Sequence, residues 1–182
     1  CELVQDDSSH IDIKRSISRC FALFACNEKT HNSGLLATAV TSSIRTLVNK
    51  TGDSVCERFG ALAVGNLALI DANHGFLIDT KLMESIVPLA NAQDIETLRG
   101  TAFALHLFSK KDSNHSALEA AGAIECLVPL LQCGDRETLL QASLAIKYLS
   151  TLTKCRIKFV DCHGHESLLA NATSDDLETK RE

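Results

Sequence analysis

The chain has 182 residues, 45% hydrophobic and 23% charged, a globular composition that excludes a wholly disordered polypeptide. Its formal charge of -5 argues against a phosphate backbone as partner, and no apolar run reaches the ~18 residues of a membrane span. With only two prolines, Pro88 and Pro129, and no tryptophan, the composition predicts helices throughout.

The chain opens at Cys1, not Met, and carries no signal-peptide pattern, so it reads as an excerpt of something longer. Its eight cysteines form no C-x-x-C pair, and most lie in apolar helical stretches, where Cys acts as a small hydrophobe. That usage points to a reducing compartment, the cytoplasm or the nucleus. Three glycosylation sequons, at Asn49, Asn114 and Asn171, are short enough to arise by chance.

Along the chain, Asp12, Asp53, Asp94, Asp135 and Asp176 recur every 41 residues. Ten residues after the first four stand Ala22, Ala63, Ala104 and Ala145, each followed by an aliphatic residue: Leu23, Val64, Leu105 and Ile146. The prolines are also 41 apart, in "IVPLA" and "LVPLL", and "DIETL" at 94–98 returns as "DRETL" at 135–139. The chain is therefore a tandem repeat. Each recurring Asp opens an apolar-periodic segment and predicts an N-cap, with Glu96, Glu137 and Glu178 at the positive end of the helix dipole.

In chain order, a long helix is predicted at 12–27, ending a partial unit at 1–27. Full units follow at 28–68, 69–109 and 110–150, and a further partial unit at 151–182. Each unit is a short, a medium and a long helix; "HSALEAAGAIECLVPLLQC" divides into the first two at Gly122. The first full unit is least regular, its segment "SIRTLVNK" standing two residues out of register.

The segment "ALAVGNLALIDAN" (61–73) resembles the third helix and exit loop of an armadillo repeat, and "EAAGAIECLVPLLQCGDRE" (119–137) resembles its turn and second helix. The resemblance covers nearly all of the chain and implies one right-handed, all-α solenoid of three-helix armadillo units. Two-helix HEAT units are the near alternative.

At 100° per residue, Leu62 and Asn66 lie about 160° either way round from Val64, so each long helix carries a second stripe opposite its core stripe. One column of that stripe holds Phe21, Leu62, Phe103 and Leu144; the other holds Ala25, Asn66, Leu107 and Tyr148. In armadillo proteins such as importin-α and β-catenin this stripe lines a concave groove that holds extended peptides, with an Asn at the position of Asn66 clamping the peptide main chain. The resemblance thus implies a protein-binding groove of Phe21, Arg58, Leu62, Asn66, Arg99, Phe103, Leu107, Leu144 and Tyr148. Arg58 and Arg99 would meet an acidic peptide or pair with surface carboxylates. Leu62 replaces the Trp of importin-α, and only Asn66 keeps the Asn, which counts against binding of nuclear-localisation signals. Inter-helix packing is the other account of the stripe.

No phosphate-cradling Gly loop and no oriented Cys/His pair is found, so catalysis and cofactors are not expected. Cys155, Cys162, His163 and His165 form a dense group of soft ligands, but the repeat register explains them as a short helix and a turn, so no metal site is assigned. The expected function is a non-catalytic scaffold or adaptor gripping a protein or peptide segment, without nucleic acid and without a membrane span. The alternative is a structural or regulatory spacer array within a larger protein.

Overall fold

A computed structural model describes residues 4, 10–31 and 36–173. Among the described residues the regular structure is entirely helical. Four long helices set the frame: α1 (Ile11–Ala25), α3 (Ser54–Ala68), α6 (Ile95–Ser109) and α9 (Arg136–Leu149). Each packs side by side against the next. Between them run α2 (Thr38–Lys50), then the pair α4 (His74–Asp79) and α5 (Leu82–Ile86), then the pair α7 (His115–Ala120) and α8 (Ala123–Gln132). The last pair is α10 (Thr153–Asp161) and α11 (Gly164–Thr173). No single helix is long and apolar enough to cross a membrane among the described residues.

The expected caps form on three of the five aspartates. The Asp53, Asp94 and Asp135 carboxylates accept from the backbone N–H of Cys56, Thr97 and Thr138 at 3.0–3.1 Å. This satisfies donors that the first helical turn leaves free. Asp12 does not cap: α1 starts one residue before it, with His10 at the N-cap and no side-chain bond. Asp176 lies outside the described residues.

The reason lies in the spacing of the long helices. Ser54 to Ile95 and Ile95 to Arg136 are 41 residues, but Ile11 to Ser54 is 43. In the structure the first long helix is therefore displaced by two residues from the register of the other three. Phe21, not Leu23, takes the place of Val64; Leu23 is 71% exposed. In the first full unit α2 is one 13-residue helix, and the segment where later units hold their short helix falls largely outside the described residues. In the later units the backbone turns between short and medium helix at a left-handed residue, Lys81, Gly122 or His163, again 41 apart.

The core follows the predicted stripe elsewhere. Val64, Leu105 and Ile146 are buried, as are Ala63, Ala104 and Ala145, which allow close helix approach. Phe108 is completely buried, its ring centroid 4.9 Å from that of His74.

Two polar ladders tie unit to unit at the two ends of the long helices. At the N-terminal ends, Arg15, Arg58 and Arg99 each form a two-pronged ion pair with the cap aspartate of the next long helix: Asp53, Asp94 and Asp135. These guanidinium bonds hold the three carboxyls below the usual carboxylate range, against the opposing effect of burial.

At the C-terminal ends a ladder of histidines and asparagines runs through the exit loops. His74 Nε2 donates to the Ala68 carbonyl at 2.7 Å, while its Nδ1 accepts from Asn114 Nδ2 of the next unit at 2.8 Å. Asn114 Nδ2 also donates to the Phe108 carbonyl at 3.0 Å. His31 and Asn73 repeat this arrangement one unit earlier, at the carbonyls of Ala25 and Leu67. One unit later His115 bonds the Ser109 carbonyl, and the Thr151 hydroxyl, from another position, meets its Nδ1 at 3.2 Å where the Asn stood in earlier units. Both rungs around His74 are buried. Replacing Asn114 by Ala strips partners from the Phe108 carbonyl and from His74 at once. The expected cost is about 1–3 kcal/mol, visible as a lower denaturant midpoint with an unchanged slope.

Candidate protein-binding groove

The outward stripe of the long helices is divided by depth. Leu62 is 37% exposed, and Phe103 and Leu144 are partly exposed, so three members of the expected apolar column stand at the surface while the adjacent column of Val64 and Leu105 is buried. Phe103 leans across onto the preceding helix. A Cβ at Gly65 would stand only 2.9 Å from Phe103 Cδ1, so glycine there makes room for the ring.

Between these side chains lies a cleft of about 500 Å³ that spans three consecutive long helices. Arg58, Phe59 and Leu62 come from α3, Glu96, Arg99, Gly100 and Phe103 from α6, and Glu137 from α9. The missing side chain at Gly100 keeps the floor low. Its Cα faces α3 so closely that a Cβ would come within 3.2 Å of Ala61 Cβ. The floor is thus apolar and the rims are charged.

The expected groove residues separate into two groups. Arg58, Leu62, Arg99 and Phe103 converge on the cleft; Leu144 and Tyr148 continue the outward face on α9. Tyr148 stacks on His106 with ring centroids 5.9 Å apart and carries Lys147 Nζ 5.6 Å from its centroid. Phe21, in contrast, leaves the ladder because of the two-residue displacement. It packs into the core beside Leu47 and Cys56, and Arg19 occupies the position equivalent to Leu62, over the Phe59 ring at 5.4 Å.

Asn66 and Leu107 are corrected as well. Asn66 is 8% exposed, and its Nδ2 lies 3.1 Å from Cys26 Sγ and 3.5 Å from the Ala22 carbonyl. It therefore ties α3 to the preceding helix in place of offering a free amide to a peptide. Leu107 is 7% exposed and belongs to the core cluster. In this column inter-helix packing is the right account up to Tyr148.

Arg58 and Arg99 lie on the rim, but their guanidinium groups are occupied by Asp94 and Asp135, and Arg99 Nη1 also donates to Glu96 at 2.9 Å. Among the described residues Glu137 accepts only from the neutral Gln141 amide, at 2.8 Å. Once each arginine is balanced by its aspartate, two cleft carboxylates remain, Glu96, which shares Arg99, and Glu137, while the Arg19 guanidinium stands over Phe59 beside them. Sequence reading had given the two glutamates only a helix-dipole role, and it had no signal for Phe59 or Gly100.

The group Cys155, Cys162, His163 and His165 does not assemble into a metal site. No cluster of three His, Cys, Asp or Glu side chains fit to hold a metal ion occurs among the described residues. Cys155 is buried, and His163 is the left-handed junction residue, with Nδ1 3.1 Å from Glu166. Among the described residues every cysteine is a free thiol. Burial pushes the Cys56 thiol up to about 11 and the Cys126 thiol up to about 12.

No family model matches the sequence, and no curated protein matches it. Solved structures do match. An engineered protein aligns at TM-score 0.82 and 23% identity over 99% of this chain and 74% of its own. A designed armadillo repeat protein in complex with a (KR)4 peptide aligns at TM-score 0.81 and 18% identity, over 99% of this chain and 75% of its own. Computationally designed armadillo repeat proteins for modular peptide recognition align at TM-score 0.81 and 18% identity, over 96% of this chain and 75% of theirs. At these identities the likeness concerns fold, and together with the 41-residue units and their stacked long helices it establishes that the chain has an armadillo-like repeat fold.

Proposed function

We propose that the chain is a non-catalytic interaction scaffold whose outward stripe, around Leu62 and Phe103, holds an extended segment of a partner protein. One observation carries this reading: an apolar-floored cleft crosses three consecutive units on a face whose neighbouring stripe is fully used by the core. An extended chain fits a site that repeats from helix to helix, because its own side chains also recur along a line. The rim charges favour a segment with an apolar side chain for the floor and a Lys or Arg beside it, facing Glu96 and Glu137. Of the two roles open to Arg58 and Arg99, an acidic peptide or pairing with surface carboxylates, the pairing forms, and their charge is spent within the fold. The fold is compatible with such a ligand: a designed armadillo repeat protein of this architecture was solved with a (KR)4 peptide. A reducing compartment suits the free cysteines.

A spacer role is the second reading, favoured by the two polar ladders, which hold successive units at fixed distances. Selection of short peptides from a displayed random library against the chain distinguishes the two. The groove reading expects recovered peptides that combine a basic and an apolar residue. Their affinity should fall about tenfold or more with Leu62→Ala or Glu137→Lys and stay unchanged with Glu84→Ala on the medium helix. A library that yields no binder, or binders indifferent to Leu62 and Glu137, leaves the spacer.

A further inference from the structure

A second cavity, of about 590 Å³, shares no residue with the groove cleft. It opens between the end of α2, the first turn of α3 and the segment that joins α5 to α6. The residue that marks it is Glu57. Its positions one and two units later are Leu98 and Leu139, and Leu98 is 7% exposed. A carboxylate thus stands where the two following units carry leucine, while the preceding long helix carries the buried Lys14 at the equivalent position. Half-burying a charge in that place costs stability unless something pairs with it.

Nothing within the described chain does. Among the described residues no cation and no hydrogen-bond donor engages the Glu57 carboxylate; the exposed side-chain amides of Asn49, Asn91 and Gln93 stand around the cavity, open to water. The charges that act on Glu57 are Asp53 and Asp94, both already bound by Arg15 and Arg58. Together with burial they push the Glu57 carboxyl up, so the site has a negative charge that lacks its counterpart. The two bound aspartates leave one carboxylate to offer, too few for a divalent cation. A single positive charge on a hydrocarbon stem suits the lining, which is apolar along Val48, Pro88 and Leu89. Breaks of a local pattern that the fold does not compensate concentrate at functional positions.

We infer that this cavity receives one lysine or arginine side chain of a partner protein, its stem along Val48, Pro88 and Leu89 and its charge on Glu57 with the amide oxygens of Asn49 and Gln93. The site is independent of the groove, and a partner could engage either alone.

The test titrates the isotopically labelled 182-residue chain with N-acetyl-lysine amide, N-acetyl-arginine amide and, as a neutral control of similar length, N-acetyl-norleucine amide. One of the two cations should give saturable shifts at the side-chain amides of Asn49, Asn91 and Gln93, with the norleucine compound about tenfold weaker. Glu57→Gln should lower the affinity for the cation about tenfold and leave the rest of the spectrum in place. Glu57→Leu, which restores the residue of the later units, should raise the unfolding midpoint and abolish the shifts, so a fold defect cannot be mistaken for a lost site. Equal shifts with the norleucine compound, cation binding unchanged in Glu57→Gln, or no saturable shift with either cation would each overturn the proposal.

Discussion

Leu105→Ala should cost about 2–5 kcal/mol of unfolding free energy, and Phe103→Ala, two residues away on the same helix, about 1–2 kcal/mol. The larger side chain is expected to matter less because of where each one points. Leu105 is 1% exposed, surrounded by core residues of its own and the adjoining units, and its removal leaves a cavity that close-packed helices cannot refill. Phe103 lies partly in solvent over Gly65, so truncation uncovers surface and opens little enclosed space. Chemical denaturation of the two variants gives both numbers. Equal losses would place Phe103 in the core and remove the physical basis for an exposed apolar ladder.

The second large effect concerns the aspartate at the start of α9. Asp135→Ala removes a cap bond to Thr138 N–H and both prongs of the pair with Arg99. Loss of a cap costs about 0.5–2 kcal/mol. The ion pair adds little to this, because the Arg99 side chain is 41% exposed and its charge is screened by water. The expected cost is therefore about 0.5–2 kcal/mol, set mainly by the cap and falling on the interface between the last two complete units, since each unit contacts only its neighbours. The same carboxyls predict the acid response. Asp53, Asp94 and Asp135 titrate lower in the folded chain than in the unfolded one, so their contribution is fully present above the ordinary carboxylate pKa of about 3.9. It is lost as pH falls below that value towards the folded pKa. Asp135→Ala should therefore show a shallower decline of stability below about pH 4 than the parent chain. An identical decline would mean that this carboxyl is not held by Arg99 in solution.

The solenoid was legible because its causes are local and repeated. A capping Asp, a small Ala where helices meet and a buried aliphatic next to it each answer to one unit's own geometry, and three such units make the period visible. The displacement of the first long helix was not legible. Asp12 happens to stand 41 residues before Asp53, while α1 and α3 start 43 residues apart; the irregular register of "SIRTLVNK" signalled a departure in this unit but not that the long helix carries it. The groove was half legible for a related reason. Helical angles say that Leu62 and Asn66 face away from Val64, but which of them the preceding helix covers depends on how units stack. Asn66 proved to be covered, at Ala22 and Cys26. The partners of Arg58 and Arg99 were in plain view as the recurring aspartates, whose role as caps concealed their second role as acceptors from the unit before. The histidine ladder also had a sequence signal, the Asn-His pair at 73–74 and again at 114–115, but its bonds run to main-chain carbonyls that no residue pattern reveals.

Chemical-shift mapping of a library-selected peptide on the labelled chain tests the binding groove most directly, since it reports position without any substitution. The perturbed amides should form one line across α3, α6 and α9, centred on Leu62, Gly100 and Phe103 and extending towards Tyr148, with the medium helices α5 and α8 unmoved. A peptide that binds while its shifts gather on α5 and α8, leaving Leu62, Gly100 and Phe103 in place, would contradict the assignment of the long-helix stripe as the recognition surface.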